Sequence, residues 1–385
     1  MLRHETLPAP GPGLHLRMGV PLSISTALAL AGCSESVVPL PNPPNWEVIE
    51  APTVTIGSGL EVETGVALYG ISGAVRLDDG RIVVADRAPR VLVFDPDGEY
   101  LHGFGRQGEG PGEFRRIRSI QLLSPDSLLV LDASSGRASF FTLEGGFVRS
   151  MVPPQLVQWV GRLGDGAMVS RRDAIPAGQP RGRTGIQRMF ATLVRHDVDE
   201  TQWDTLGVFP ANEILQTADG RFYSGGVLHS LQLSVAQADV YVAPSDAFEV
   251  WRVPSDGNPP TTITKHYQPV EITSSSLTGS IHTYFLRGIE DLPTGTTFPA
   301  VAALLIDNDG NLWVEEFPID SMSIGRWWIF DPDGKLVAEA KMPQKFRPTN
   351  IGSDYVLGVK RDSLDIERVQ LHGLRKTGDQ RIGPE

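Results

Sequence analysis

The sequence predicts an all-β fold, a six-bladed β-propeller with seven blades as the rival count, on three observations. One strand-and-turn module is written at least twice, as Arg81–Leu101 and again from Asn311 to Val337, each copy holding an Asp-Pro-Asp-Gly turn after a Phe. A unit this short cannot bury its own apolar face and must stack on copies of itself. A tight Asp or Asp-Gly turn precedes an apolar run six times, anchored at 80, 126, 166, 239, 310 and 354, with spacings of 46, 40, 73, 71 and 44 residues. The short spacings match one four-stranded blade. With 41 Gly and 30 Pro among 385 residues and only 21% charged, the chain is built for turns rather than helices.

Each anchor is justified by turn chemistry. Asp79-Gly80, Asp126, Asp165-Gly166, Asp239, Asp309-Gly310 and Asp354 supply the positive φ and the side-chain-to-backbone bonds that hairpins need. Runs such as Ile82–Ala85 and Val91–Phe94 are continuously apolar, as expected of strands covered on both faces by neighbouring blades. Phe94, Phe141 and Phe330 each stand four residues before a Gly and are expected in the inter-blade core. Trp327 and Trp328 read as core or as an aromatic platform. The long intervals hold Gly-, Pro- and Thr-rich insertions at 174–187 and 257–300, and a degenerate seventh blade around Asp219-Gly220 is the alternative.

The single cysteine, Cys33, closes a short apolar stretch from Met18, too short to span a bilayer. Leu30-Ala31-Gly32-Cys33 resembles a bacterial lipobox, which implies acylation of Cys33 and export. The expected organisation is a signal peptide at 1–33, a polar tether at 34–50, the propeller at 51–374 and a tail at 375–385. Ser34 lacks the aspartate that retains such proteins at the inner membrane, so the outer membrane is the expected address, facing the periplasm or the surface. The segment before the apolar run is poor in cations, and either Met1 or Met18 could be the start. A net charge of −12 argues against nucleic acid as a partner.

Gly103–Phe114, with Ala85–Gly98 before it, resembles the NHL-type repeat and its related six-bladed propellers; the resemblance covers 70–150 and 300–340. It implies a ring closed by pairing the two ends of the chain, Trp46–Glu50 or Thr53–Gly57 with Ile366–Leu371. Closure of this kind removes exposed sheet edges. It also implies that the loops between second and third strands and the blade-to-blade connectors share one face around the central channel.

Sampling the residue six beyond each anchor gives a polar ring of Asp86, Asp132, Arg172, Ser245, Glu316 and Lys360. Arg87, Arg171, Asp173, Glu315, Arg361 and Asp362 stand beside it. The expected ligand face comprises Asp86, Arg87, Arg106, Asp132, Arg172, Glu316 and Lys360. The competing reading makes the ring residues strand-end caps, and Arg90, Arg137 and Arg326 are expected to brace loops. Arg106–Glu113 is glycine-rich but precedes a β-blade, so it reads as a connector rather than a nucleotide loop. The turns starting at Asp95, Asp307 and Asp331 have Arg106, Pro318 and Met342 where calcium would need a bidentate Glu.

No nucleophile elbow or His-Glu-Xaa-Xaa-His motif occurs, and the histidines show no metal-ligand spacing. No catalytic residue, cofactor or metal is therefore assigned. The leading expectation is a lipid-anchored binding module for a protein, peptide or glycan. The alternatives are a metal-assisted hydrolase or lyase using Asp86, Asp132 and Glu316, and a structural piece of an envelope assembly.

Overall fold

The computed structural model describes residues 43–57, 67–123, 126–152, 157–175, 184–197, 203–278, 280–282, 292–320 and 324–377. The expected signal segment, Cys33 and the tether up to residue 42 lie outside them.

Two short strands, β1 (Asn45–Val48) and β2 (Val54–Ile56), precede six antiparallel blades. Blade 1 is β3 (Ile71–Arg76), β4 (Ile82–Asp86), β5 (Arg90–Phe94) and β6 (Tyr100–Phe104). Blade 2 is β7 (Ile117–Leu122), β8 (Ser127–Asp132), β9 (Ala138–Thr142) and β10 (Phe147–Met151). Blade 3 has five strands: β11 (Gln158–Arg162), β12 (Met168–Ala174), β13 (Gly185–His196), β14 (Trp203–Gln216) and β15 (Phe222–Ser224). Blade 4 is β16 (Gln232–Val235), β17 (Asp239–Ala243), β18 (Glu249–Pro254) and β19 (Thr261–Thr264), followed by the single-turn helix α1 (Ser274–Thr278). Blade 5 is β20 (Val301–Ile306), β21 (Leu312–Glu316), β22 (Arg326–Phe330) and β23 (Leu336–Lys341). Blade 6 is β24 (Phe346–Ile351), β25 (Tyr355–Arg361) and β26 (Glu367–Arg375), completed by β2.

Five of the six anchors stand directly before the second strand of a blade, and Asp239 is the first residue of its own, β17. Gly80, Gly166 and Gly310 take φ of 90°, 95° and 85°, where a side chain would be strained. The Asp carboxylates close the turns: Asp79 accepts the Arg81 amide and Asp165 the Ala167 amide. In the Asp-Pro-Asp-Gly segments, Asp95 accepts the amides of Asp97 and Glu99, and Asp331 those of Asp333 and Lys335. These are turns, as the sequence indicated.

The innermost strands run round a ring. β3 lies against β7, β11 against β16, β16 against β20, β20 against β24, and β24 against β3. Gln121 Nε2 donates to the Val160 carbonyl at 3.1 Å and joins β7 to β11. Each junction between blades has its own apolar cluster. Ile82, Leu92 and Leu357 fill the one between blades 6 and 1, and Val83, Val130 and Phe141 the next. Leu129, Met151, Trp159 and Met168 pack between blades 2 and 3, and Val169, Phe209 and Val242 between blades 3 and 4. Phe248, Val314 and Phe330 join blades 4 and 5, and Trp313, Trp327 and Val356 join blades 5 and 6. Phe94, Phe141 and Phe330 are thus core, as is Trp327; Trp328 is half-buried and donates its ring N–H to Glu316 at 2.8 Å.

Closure uses both segments proposed for it. β2 pairs antiparallel with β26, Val54 opposite Leu371. β1 pairs parallel with β23 and antiparallel with β26, so it lies between blades 5 and 6. This corrects the tether boundary: by Asn45 the chain is already strand, because Trp46 and Val48 alternate inward and are buried. The Asp219-Gly220 turn is not a seventh blade. It folds β14 back onto β15, giving blade 3 an extra outer strand.

Candidate functional site

In every blade the second strand runs up to the face that also carries the connectors to the next blade. The innermost strands begin at this face, and there their pairing slips. The register shifts between Ile71 and Gly73 in β3, between Ile117 and Ser119 in β7, and between Val301 and Ala303 in β20. A bulge leaves one residue unpaired and re-aims its side chain. The residues so released are Ser72, Arg118 and Ala302, and the first two line the channel mouth.

The mouth is a cavity of about 730 Å³ between blades 1, 2, 3 and 6. Its polar wall is mostly guanidinium: Arg87 from the turn after β4, Arg116 and Arg118 from the start of blade 2, and Arg347 and Arg361 from blade 6. Arg87 lies across Gly70, where φ is 100° and a Cβ would come within 3.0 Å of the Arg87 Cδ. Arg118 donates to Gln158 Oε1 at 3.2 Å, and Arg347 to the Ile71 carbonyl at 3.0 Å. Arg361 pairs with Glu367 at 2.6 Å, and the other Glu367 oxygen accepts the Ile71 amide. Among the described residues, Arg87, Arg116, Arg118 and Arg347 have no carboxylate within ion-pair distance.

The cavity also exposes Asp132, whose carboxylate is already engaged. It accepts the amides of Arg115, Arg116, Ser134 and Ser135. Burial pushes this carboxyl up, but the four amides outweigh burial and hold it below the usual range.

Of the seven residues expected on the ligand face, Arg87 and Asp132 line the cavity. Asp86 is fully buried and accepts the amides of Tyr69 and Ala88 and the guanidinium of Arg90, so it is a brace. Arg106 pairs with Glu113 inside the glycine-rich connector, at 2.8 Å. Glu316 accepts from Trp328, and Lys360 Nζ donates to the Gln344 carbonyl. Arg172 is exposed on β12 and is engaged elsewhere than the cavity wall. Arg90 and Arg137 brace loops, the latter through the carbonyls of Glu109 and Gly110. The residues sequence reasoning missed are Arg118 and Arg347, on the first strands of their blades, and Arg116, immediately before β7. The visible signal was the run Phe114-Arg115-Arg116-Ile117-Arg118.

Two other polar clusters bear on chemistry. Glu213, His229 and Asp246 bring ligand-type atoms within 4.8 Å of one another. Arg188 already serves as their cation, bonding Glu213 at 3.1 Å, Asp246 at 2.7 Å and the Pro244 carbonyl at 3.0 Å. Burial pushes the Glu213 carboxyl up, but the His229 hydrogen bond and Arg188 hold it low. Ser170 Oγ and His196 Nε2 are 2.7 Å apart, yet both are buried, and Trp159 and Trp203 pack edge-on against the imidazole. No substrate could reach that hydroxyl in this arrangement.

Residues 62–154, which include blades 1 and 2, match the model of the DUF5128 family, described as a 6-bladed beta-propeller. The chain is a six-bladed β-propeller. Among solved structures, a DUF4221 family member from Bacteroides vulgatus is similar at 10% identity and a TM-score of 0.51, over 86% of this propeller and 98% of that chain. A Bacteroides fragilis protein inferred to be exported is similar at 12% identity and a TM-score of 0.49, over 86% and 95%. Virginiamycin B lyase from Staphylococcus aureus reaches a TM-score of 0.40 at 10% identity, over 80% and 95%. No curated protein matches the propeller in sequence.

Proposed function

We propose that this propeller is an exported, lipid-anchored binding module whose ligand engages the face formed by the second-to-third-strand loops and the blade connectors. The observation that carries the reading is the mouth cavity, where side chains from four blades converge on about 730 Å³. A recess of that size suits a small molecule or the end of a chain. No single blade builds it, so it is a property of the assembled ring. Of the carboxylates named for a hydrolase or lyase, only Asp132 borders the cavity, and its oxygens are committed to backbone amides. The anchor is proposed from Leu30–Cys33.

Two experiments test this. Cys33→Ser should abolish acyl labelling and release the protein from membranes; retention with unchanged labelling overturns the anchor. Ala133→Trp places neutral bulk on an exposed residue of the cavity wall. It should abolish capture of peptide and glycan ligands from an envelope fraction at an unchanged melting temperature. Capture equal to wild type overturns the loop-face reading.

A further inference from the structure

We infer that the mouth cavity is an anion site, taking a small ligand that carries oxyanion groups, phosphate or carboxylate, against Arg87, Arg116, Arg118 and Arg347. The inference rests on the loop-face reading and specifies its ligand.

Charge is segregated at the mouth. The chain carries 34 Lys and Arg against 46 Asp and Glu, an acidic balance. Its mouth reverses that balance: five arginines and no lysine face two carboxylates, a local formal charge of +3. Clefts lined by one sign of charge focus the field and raise the local concentration of the opposite ion.

The carboxylates at the mouth are already engaged. Asp132 is saturated by four backbone amides, and Glu367 is shared between Arg361 and the Ile71 amide. Neither carboxylate is available to the four remaining guanidiniums. Arg115, one residue away, is paired with Glu109, and Arg171 below the wall is held by Asp173 at 2.6 Å. The chain therefore neutralises the arginines around the cavity and leaves Arg87, Arg116, Arg118 and Arg347 in its wall with no carboxylate at ion-pair distance among the described residues.

The gathered guanidiniums also repel one another. Burial lowers the proton affinity of the Arg118 guanidinium and Arg171 nearby lowers it further, with Asp173 only partly compensating. Burial does the same to Arg347, with Arg361 and Arg87 adding to it and Glu367 only partly compensating. Like charges gathered in a recess are unfavourable alone and become favourable once an anion sits among them.

The residue type narrows the chemistry. A guanidinium presents a planar fork that matches carboxylate and phosphate oxygens in pairs, where lysine offers a point charge. The bulge that frees Arg118 and the bare backbone at Gly70 beneath Arg87 orient two of these forks towards the cavity.

The test uses the full-length protein in detergent and two probes, pyrophosphate and citrate, by calorimetry and thermal shift. At least one should bind saturably at one site per chain and raise the melting temperature, as any ligand selective for the folded state must. Preference for pyrophosphate assigns a phosphorylated ligand, and preference for citrate a carboxylated one. Arg116→Gln with Arg118→Gln should weaken binding at least about tenfold, equal to about 1.4 kcal/mol, while Arg118→Lys retains part of it. Absence of saturable binding by either probe overturns the inference, as does binding unchanged in the double variant. If anions fail but Ala133→Trp still abolishes ligand capture, the loop-face reading stands and only the anion assignment falls.

Discussion

Arg347 Nη2 donates to the Ile71 carbonyl at 3.0 Å, tying the innermost strand of blade 6 to that of blade 1. The same side chain lines the mouth, so the seam of the ring and the cavity share a residue. Arg347→Gln should cost about 1 kcal/mol of stability, the worth of one side-chain hydrogen bond. Chemical denaturation measures it, and a loss above about 3 kcal/mol would show that the seam depends on this guanidinium far more than one bond implies.

Phe141 is 1% exposed and touches the rings of Phe104, Phe114 and Phe147. Truncation to Ala removes those contacts and leaves a cavity between blades 1 and 2. The expected cost is about 3–5 kcal/mol. A cost below about 1 kcal/mol would mean that the neighbouring blades collapse onto the gap.

Glu315 has no charged partner among the described residues, and burial pushes its carboxyl up to about 7. Its folded-state value lies above the unfolded one of 4.5. The stability this group contributes is therefore complete below that unfolded value and lost as pH rises through about 7. Glu315→Gln should leave stability unchanged in acid and raise it at about pH 8, by at most on the order of 3 kcal/mol. Equal denaturation midpoints for the two proteins at both pH values would contradict this.

His196, His282 and His372 go the other way, each held below the ordinary imidazole value mainly by burial. Below about 6.5 the unfolded chain takes up protons that the folded chain refuses, so stability present above that pH is lost on acidification. In a Glu315→Gln background, which removes the opposing carboxylate, urea midpoints should fall between about pH 7.5 and about pH 5.5. His196→Gln, keeping a partner for Ser170, should make that fall shallower; an identical slope would remove His196 as a contributor.

The fold was legible because its signals are local. Asp79-Gly80 and Asp331–Gly334 form turns by chemistry contained within a few residues, and Val91–Phe94 is apolar because both of its faces are covered. The mouth was not legible in the same way. Sampling second strands at one phase found Asp86, which the fold turns inward to bind Tyr69, Ala88 and Arg90. The cavity is instead walled by first-strand residues such as Arg118, whose direction depends on a slipped pairing that no residue type announces. Arg347 meets Ile71 across a separation of 276 residues, a meeting that only the closed ring creates. Arg87, beside a strand-end Asp, was reachable because its position follows from the turn itself.

The pairing of Val54 with Leu371 also orders events in time. A chain made from its amino terminus produces β2 first and can seat it last, since β26 must exist before there is an edge to receive it. Until then blade 6 is incomplete and Ile71 waits at an open gap. The ring therefore fastens only once β26 has been made, and a chain interrupted before Glu367 keeps an unpaired strand edge on show for chaperones or proteases to read.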